Sequence, residues 1–104
     1  MSLIKIDPSI AVKGLSAQEV LAKYDQELMN FFDSKAKEKN YDNRITCSLR
    51  AGYPGPFQAE GLAFAQWMDA CNAYCYEVIK DIQEGLRVVP SFEELSSEFP
   101  ALVW

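Results

Sequence analysis

The sequence contains no histidine. The commonest metal ligand and the usual general base at neutral pH are therefore both missing. Ser–His–Asp, Cys–His and His-ligated zinc chemistry are excluded with them. Cysteine is scarce and odd in number, with only Cys47, Cys71 and Cys75. The start, Met1-Ser2-Leu3-Ile4-Lys5-Ile6-Asp7-Pro8, lacks a basic n-region and a long apolar h-region. Together these argue against a secreted disulfide framework. No apolar run approaches the roughly 18 residues that cross a bilayer. There is no glycine-rich phosphate loop, no internal repeat and no low-complexity tract. The expectation is a soluble protein of a reducing cytoplasm that contacts no membrane.

What is present points to one small domain. The chain has 104 residues, 49% of them apolar, so wholesale disorder is not expected. Fifteen acids against ten bases give a net charge of −5. Residues 1–50 hold seven acids and eight bases, and residues 51–104 hold eight acids and two bases. An acidic second half is repelled by phosphate backbones, so nucleic acid is not an expected partner. The one basic cluster, Lys35, Lys37 and Lys39, falls where a helix should end, and there it offsets the negative end of the dipole.

Periodicity predicts helices throughout. Residues 1–14, broken by Pro8 and Gly14, form a lead-in, extended if ordered. Ser16 and Glu19 fit a capping box, and Leu15 with Val20 a hydrophobic staple. Ala17, Leu21, Tyr24, Leu28 and Phe31 then recur every three or four residues on one face, widened by Val20 and Phe32. The lysines and Asn40 end this helix, with Asn40 in the left-handed closing position. Asp42 is placed to cap a short helix running through Ile45 and Leu49 to Gly52. Tyr53-Pro54-Gly55-Pro56 is a turn, because proline and glycine together block helix and sheet.

The longest pattern runs from residue 57 to 84, about 42 Å of helix at 1.5 Å per residue. Phe57, Gly61, Phe64, Met68, Cys71, Cys75, Val78 and Ile82 form a four-three seam. Ala63, Trp67, Ala70 and Tyr74 form a second stripe, so burial is expected over more than half the circumference. Gly85 stops the helix. Ser91 and Glu94 make a second S-x-x-E box that opens a short helix with Phe92, Leu95 and Phe99 inward, ended by Pro100. The fold class expected is all-α: residues 15–104 as one helical domain, a hairpin of two long helices with short accessory helices. Two apolar stripes exceed what two neighbours cover, so self-association or a protein partner is also expected.

No residue set points to catalysis. Cys71 and Cys75 lie one turn apart, and Cys47 makes a third thiol. A structural zinc site usually takes four ligands, so these read as small buried hydrophobes where helices come close. Glu60 sits where a helix start favours negative charge, and that accounts for it. No cofactor and no metal are expected. The candidate protein-binding residues are Phe57, Gly61, Phe64, Trp67, Met68, Tyr74 and Trp104. For Trp67 and Tyr74 a core role is favoured over an interface role. Trp104 either docks on the protein's own core or is offered to a partner.

The run Tyr53-Pro54-Gly55-Pro56-Phe57-Gln58-Ala59-Glu60-Gly61, then Trp67, Ala73-Tyr74-Cys75-Tyr76 and Pro90-Ser91-Phe92-Glu93-Glu94-Leu95 with Phe99-Pro100-Ala101-Leu102, resembles a group of small proteins. These belong to tailed phages and prophages and are encoded near tail-fibre genes. The resemblance covers roughly residues 41–104. It implies a non-enzymatic accessory protein that binds a tail or tail-fibre protein and assists its assembly in the host cytoplasm. The alternative it leaves open is a minor structural component of the virion tail or fibre. Phe57, Glu60, Gly61, Trp67, Tyr74 and Cys75 carry the motif and fit a packing signature as well as a binding one.

Overall fold

A computed structural model describes residues 17–104, with side chains from residue 22 onward. The lead-in, the Ser16–Glu19 box, the Leu15–Val20 staple and the Ala17, Val20 and Leu21 positions of the first stripe lie outside the described side chains. Among the described residues the chain is all-α, with no strand. The helices are α1 (Ala17–Lys37), α2 (Arg44–Leu49), α3 (Gln58–Gln83) and α4 (Phe92–Ser97), with a 3-10 turn at Arg50–Gly52.

Both long helices stop where a residue turns left-handed. Asn40 has φ of 68° and Gly85 of 77°. After α1, the Tyr41 N–H reaches back to the Ala36 carbonyl at 3.2 Å and the Asn40 N–H to Lys37 at 3.0 Å. After α3, Leu86 bonds Asp81 at 2.8 Å and Gly85 bonds Ile82 at 3.1 Å. Each is the paired bond pattern of a Schellman closure, which satisfies carbonyls the helix itself leaves free. Lys35 and Lys37 occupy the last turn of α1, where cations favour the dipole.

The described residues fall into two compact units. One, the α4 unit, comprises residues 17–28 and 73–99. The other, the α2 unit, comprises Met29–Asn72 with Pro100–Trp104. In the α4 unit the buried apolar residues are Leu28, Cys75, Val78, Ile79, Ile82 and Leu95, an aliphatic core. In the α2 unit they are Phe32, Ala36, Cys47, Phe64, Trp67 and Cys71. There the indole of Trp67 meets Phe32 edge-on at 5.3 Å, Phe31 at 5.8 Å and Phe64 at 5.7 Å. Such tilted ring pairs contribute about 0.5–1.5 kcal/mol each beyond the area they bury.

The buried face of α3 is narrower than the two-stripe pattern predicts. Gly61, Phe64, Trp67, Cys71, Cys75, Val78, Ile79 and Ile82 are buried, but Ala70 and Ala73 are exposed and Met68 is only half-buried. An alanine gains little from burial, so the large side chains decide which way the helix turns. Similarly, Phe32 and Ala36, not Phe31, are the buried centre of their part of α1. The spacing Leu28, Phe32, Ala36 is a strict i, i+4 row. The helix itself is one unbroken rod of 26 residues, about 39 Å. All three cysteines are buried, and none is half of a disulfide.

Candidate protein-binding surface

α2 is too short to hold itself by propensity, so its ends and one contact fix it. Its N-cap is Asn43, not Asp42. The Asn43 Oδ1 accepts from the N–H of Ile45 at 2.9 Å and of Thr46 at 3.1 Å, and Thr46 Oγ1 accepts from the Asn43 N–H at 3.1 Å. This is a reciprocal capping box. Asp33 on α1 then grips the first helical residue. It accepts from the Arg44 backbone N–H at 3.0 Å and from Nη1 at 2.8 Å. Burial raises the Asp33 carboxyl, but the bonds from Arg44 outweigh it and hold the group below its ordinary value.

The far end of α2 lies directly on α3 at Gly61. A Cβ there would stand 2.8 Å from the Ala51 nitrogen, the Cys47 oxygen and the Arg50 Cβ. Two of those atoms are backbone and cannot swing away, so only glycine lets the chains approach this closely. The approach turns Cys47 fully inward. It leaves Ile45 and Leu49, one turn apart, pointing outward at 57% and 62% exposure.

Beside α2 runs a chain of alternating cations and rings. The Arg50 guanidinium stands 5.9 Å from the Tyr41 ring and 5.8 Å from the Phe57 ring. Its Nη1 donates to Tyr53 Oη at 2.6 Å. Tyr41 Oη donates to Glu60 Oε1 at 2.8 Å. Glu60 Oε2 meets Lys39 Nζ at 4.0 Å, and Lys39 lies 5.6 Å above the Trp104 ring. Trp104 in turn stacks on Phe64 at 5.4 Å and 20°. A guanidinium near two rings and bonded to a phenol is already restricted in its side-chain freedom.

Two groups here, Tyr41 and Cys47, are pushed above their ordinary values. Burial, with help from the Glu60 bond, pushes the Tyr41 phenol up to about 12. Burial pushes the Cys47 thiol up to about 11, with Glu60 adding to it. Among the described residues no group of three or more His, Cys, Asp or Glu side chains is arranged to hold a metal ion. No helix among them is long and apolar enough to cross a membrane.

No family model, curated protein or solved structure matches this chain. The reading of the surface therefore rests on its own geometry.

The seven sequence-selected residues do not form one patch. Phe57 is half exposed and belongs to the ring chain. Gly61 lies under α2, and Phe64 and Trp67 are core. Met68 is half-buried. Trp104 stacks on Phe64 within its own unit. Tyr74 belongs to the α4 unit. There it donates to Glu98, which also receives Arg87 Nη1 at 2.9 Å and Nη2 at 3.2 Å. Arg87, aided by the Tyr74 hydroxyl, holds the Glu98 carboxyl down to about 2. The Tyr74 ring meets Phe99 edge-on at 6.1 Å.

Sequence reasoning missed Arg50, Tyr41, Ile45, Leu49 and Tyr53 as surface residues. One signal was available for the start of α2: Asn43 and Thr46 stand at capping-box spacing.

Proposed function

We propose that this protein is a non-enzymatic accessory protein of tailed phages that binds another tail or tail-fibre protein and assists its assembly. The family element of this reading rests on the residue resemblance over residues 41–104. The single observation that carries the binding element is where apolar surface is left uncovered. Of the nine large apolar side chains exposed among the described residues, seven belong to the α2 unit: Met29, Ile45, Leu49, Tyr53, Phe57, Leu62 and Val103. An immature fibre chain also exposes apolar surface, and burying the two against each other is the driving force. Arg50, flanked by Tyr41 and Phe57, has the composition of an interface anchor.

Charge supports the same division of labour. Residues 17–28 and 73–99 hold nine acids against three bases, a net of −6. Residues 29–72 and 100–104 hold five acids and five bases, a net of zero. A neutral apolar face approaches a partner without long-range repulsion, while the acidic unit keeps the complex in solution. In this reading the host cytoplasm is the site of action, release follows fibre maturation, and neither nucleic acid nor a cofactor takes part.

The test is co-expression with a tail-fibre protein of the same genome, followed by affinity capture and native sizing of the fibre. The expected result is capture of the fibre protein and correct fibre trimers only when this chain is present. Trimers that form equally well without it remove the assembly role. Mass spectrometry of purified particles separates the accessory role, which predicts its absence from them, from a minor structural component, which predicts its presence.

A further inference from the structure

Pro100–Trp104 is the one part of the α2 unit that arrives from the far end of the sequence and carries no helix. It meets α3 at Phe64 and Trp67. From Ala101 onward its side chains alternate in exposure: Ala101 and Val103 are exposed, Leu102 and Trp104 half-buried. That period of two is how a bound peptide strand meets a surface. Three contacts anchor it. The Pro100 carbonyl accepts from Trp67 Nε1 at 2.8 Å. The Trp104 indole stacks on Phe64 at 5.4 Å. Lys39 Nζ stands over the same indole, 5.6 Å from its centre.

We propose that Phe64, Trp67 and Lys39 form a peptide slot, that Pro100–Trp104 is its resident occupant, and that the slot exchanges this occupant for the same segment of a second copy of the chain. The ligand chemistry is read from the occupant in place. The slot takes an extended apolar strand with a backbone acceptor at one end and an indole four residues on. The donor for that acceptor is an indole N–H, which binds a carbonyl and not a cation. Phe64 and Lys39 together suit a flat ring, which can stack on the one and attract the other as a cation.

Exchange follows from how the segment is held. A segment with three anchors and alternate residues in water opens at far less cost than the helices beneath it. Opening uncovers Phe64 and Trp67, which are 0% and 6% exposed while it is seated. The vacated slot then regains its contacts from any copy that offers the same sequence, and two copies that exchange segments satisfy both slots at once. The inference does not depend on the identity of any tail protein.

The test uses full-length chains and the labelled peptide Pro-Ala-Leu-Val-Trp. Trp104→Ala weakens the resident segment and leaves the slot intact. The expected result is saturable binding of the peptide to W104A, at least tenfold tighter than to the wild type, whose own segment competes. A peptide ending in Ala should bind neither. In sedimentation equilibrium the wild type should gain dimer as concentration rises from tens to hundreds of micromolar, and W104A should not. If W104A proves unfolded by circular dichroism, Leu102→Ala loosens the segment without touching the slot and is read the same way. Equal peptide binding to wild type and variant, no binding to a folded variant, a wild type that stays monomeric, or a dimer that survives W104A would each overturn the proposal.

Discussion

The two units solve the same packing problem differently. The α2 unit closes its core with rings, Phe32, Phe64 and Trp67, around small residues at Ala36, Cys47, Gly61 and Cys71. The α4 unit uses aliphatic side chains and pins its edge with the Tyr74–Glu98–Arg87 cluster. The ring-packed unit leaves apolar side chains in water at zero net charge, whereas the aliphatic unit leaves few and carries the acid. A core made of a few large rings needs close backbone approaches, and those approaches dictate what is turned outward. Ile45 and Leu49 are exposed because Gly61 draws the Cys47 side of α2 inward. In the α2 unit the exposed apolar surface and the core are two faces of one constraint, while the α4 unit carries the net negative charge.

The sharpest way to break the comparison is to cut each core. Phe64→Ala should cost about 3–5 kcal/mol, because it removes a fully buried ring that touches Trp67 and Trp104. Leu95→Ala, in the α4 unit, should cost about 2–4 kcal/mol. Urea unfolding followed by circular dichroism gives both values. A smaller cost for Phe64 than for Leu95 would mean that the ring cluster is not the stronger core.

The glycines come next. Gly61→Ala should cost about 1–3 kcal/mol, since its methyl would meet two backbone atoms at 2.8 Å. Gly85→Ala should cost about 1 kcal/mol, from a left-handed backbone alone, because no atom lies within 4 Å of the added Cβ. Only the first should loosen the seating of α2 on α3, which hydrogen exchange of the α2 backbone amides reads.

The two units should part company on the acid side. Glu98 sits near 2 when folded, below its ordinary 4.5, so its contribution is present above about pH 4.5 and fades as pH falls toward 2. Glu98→Gln should flatten that part of the acid profile without touching the Asp33–Arg44 contribution of the α2 unit. On the alkaline side the units should agree. Cys47 and Cys75 lie near 11, raised from 9, and Tyr24 and Tyr41 near 12, raised from 10. Burial is the main cause in each, so stability is full below about pH 9 and is lost as pH climbs through 11 and 12. Thermal melts between pH 2 and 12 check both limbs.

Much of this was legible in the residues themselves. Asn40 and Gly85 announce the ends of α1 and α3, because each is a residue that tolerates the left-handed turn a closing helix needs. Ser91 announces α4, and its Oγ accepts the Glu94 N–H at 3.1 Å, although Glu94 answers with a bond to the Ser91 hydroxyl instead of its backbone. The length of α3 was legible because a 26-residue pattern averages over local exceptions. The phase of α2 was not, because six residues span fewer than two turns. Its orientation is set by a tertiary contact at Gly61, far along the sequence. Adjacent Phe31 and Phe32 posed a similar problem: both are apolar, and only the neighbouring Trp67 decides which is core. The ring chain from Phe57 through Arg50 and Lys39 to Trp104 joins four separate segments, so no local pattern could have shown it.

The most direct measurement compares one surface substitution in each unit. Leu49→Asp and Leu86→Asp both replace leucines already exposed, at 62% and 71%, so each should shift stability by under about 0.5 kcal/mol. Titration calorimetry of each variant against the captured tail-fibre protein should then show at least tenfold weaker binding for Leu49→Asp and wild-type binding for Leu86→Asp. Wild-type binding by Leu49→Asp together with loss by Leu86→Asp would contradict the account.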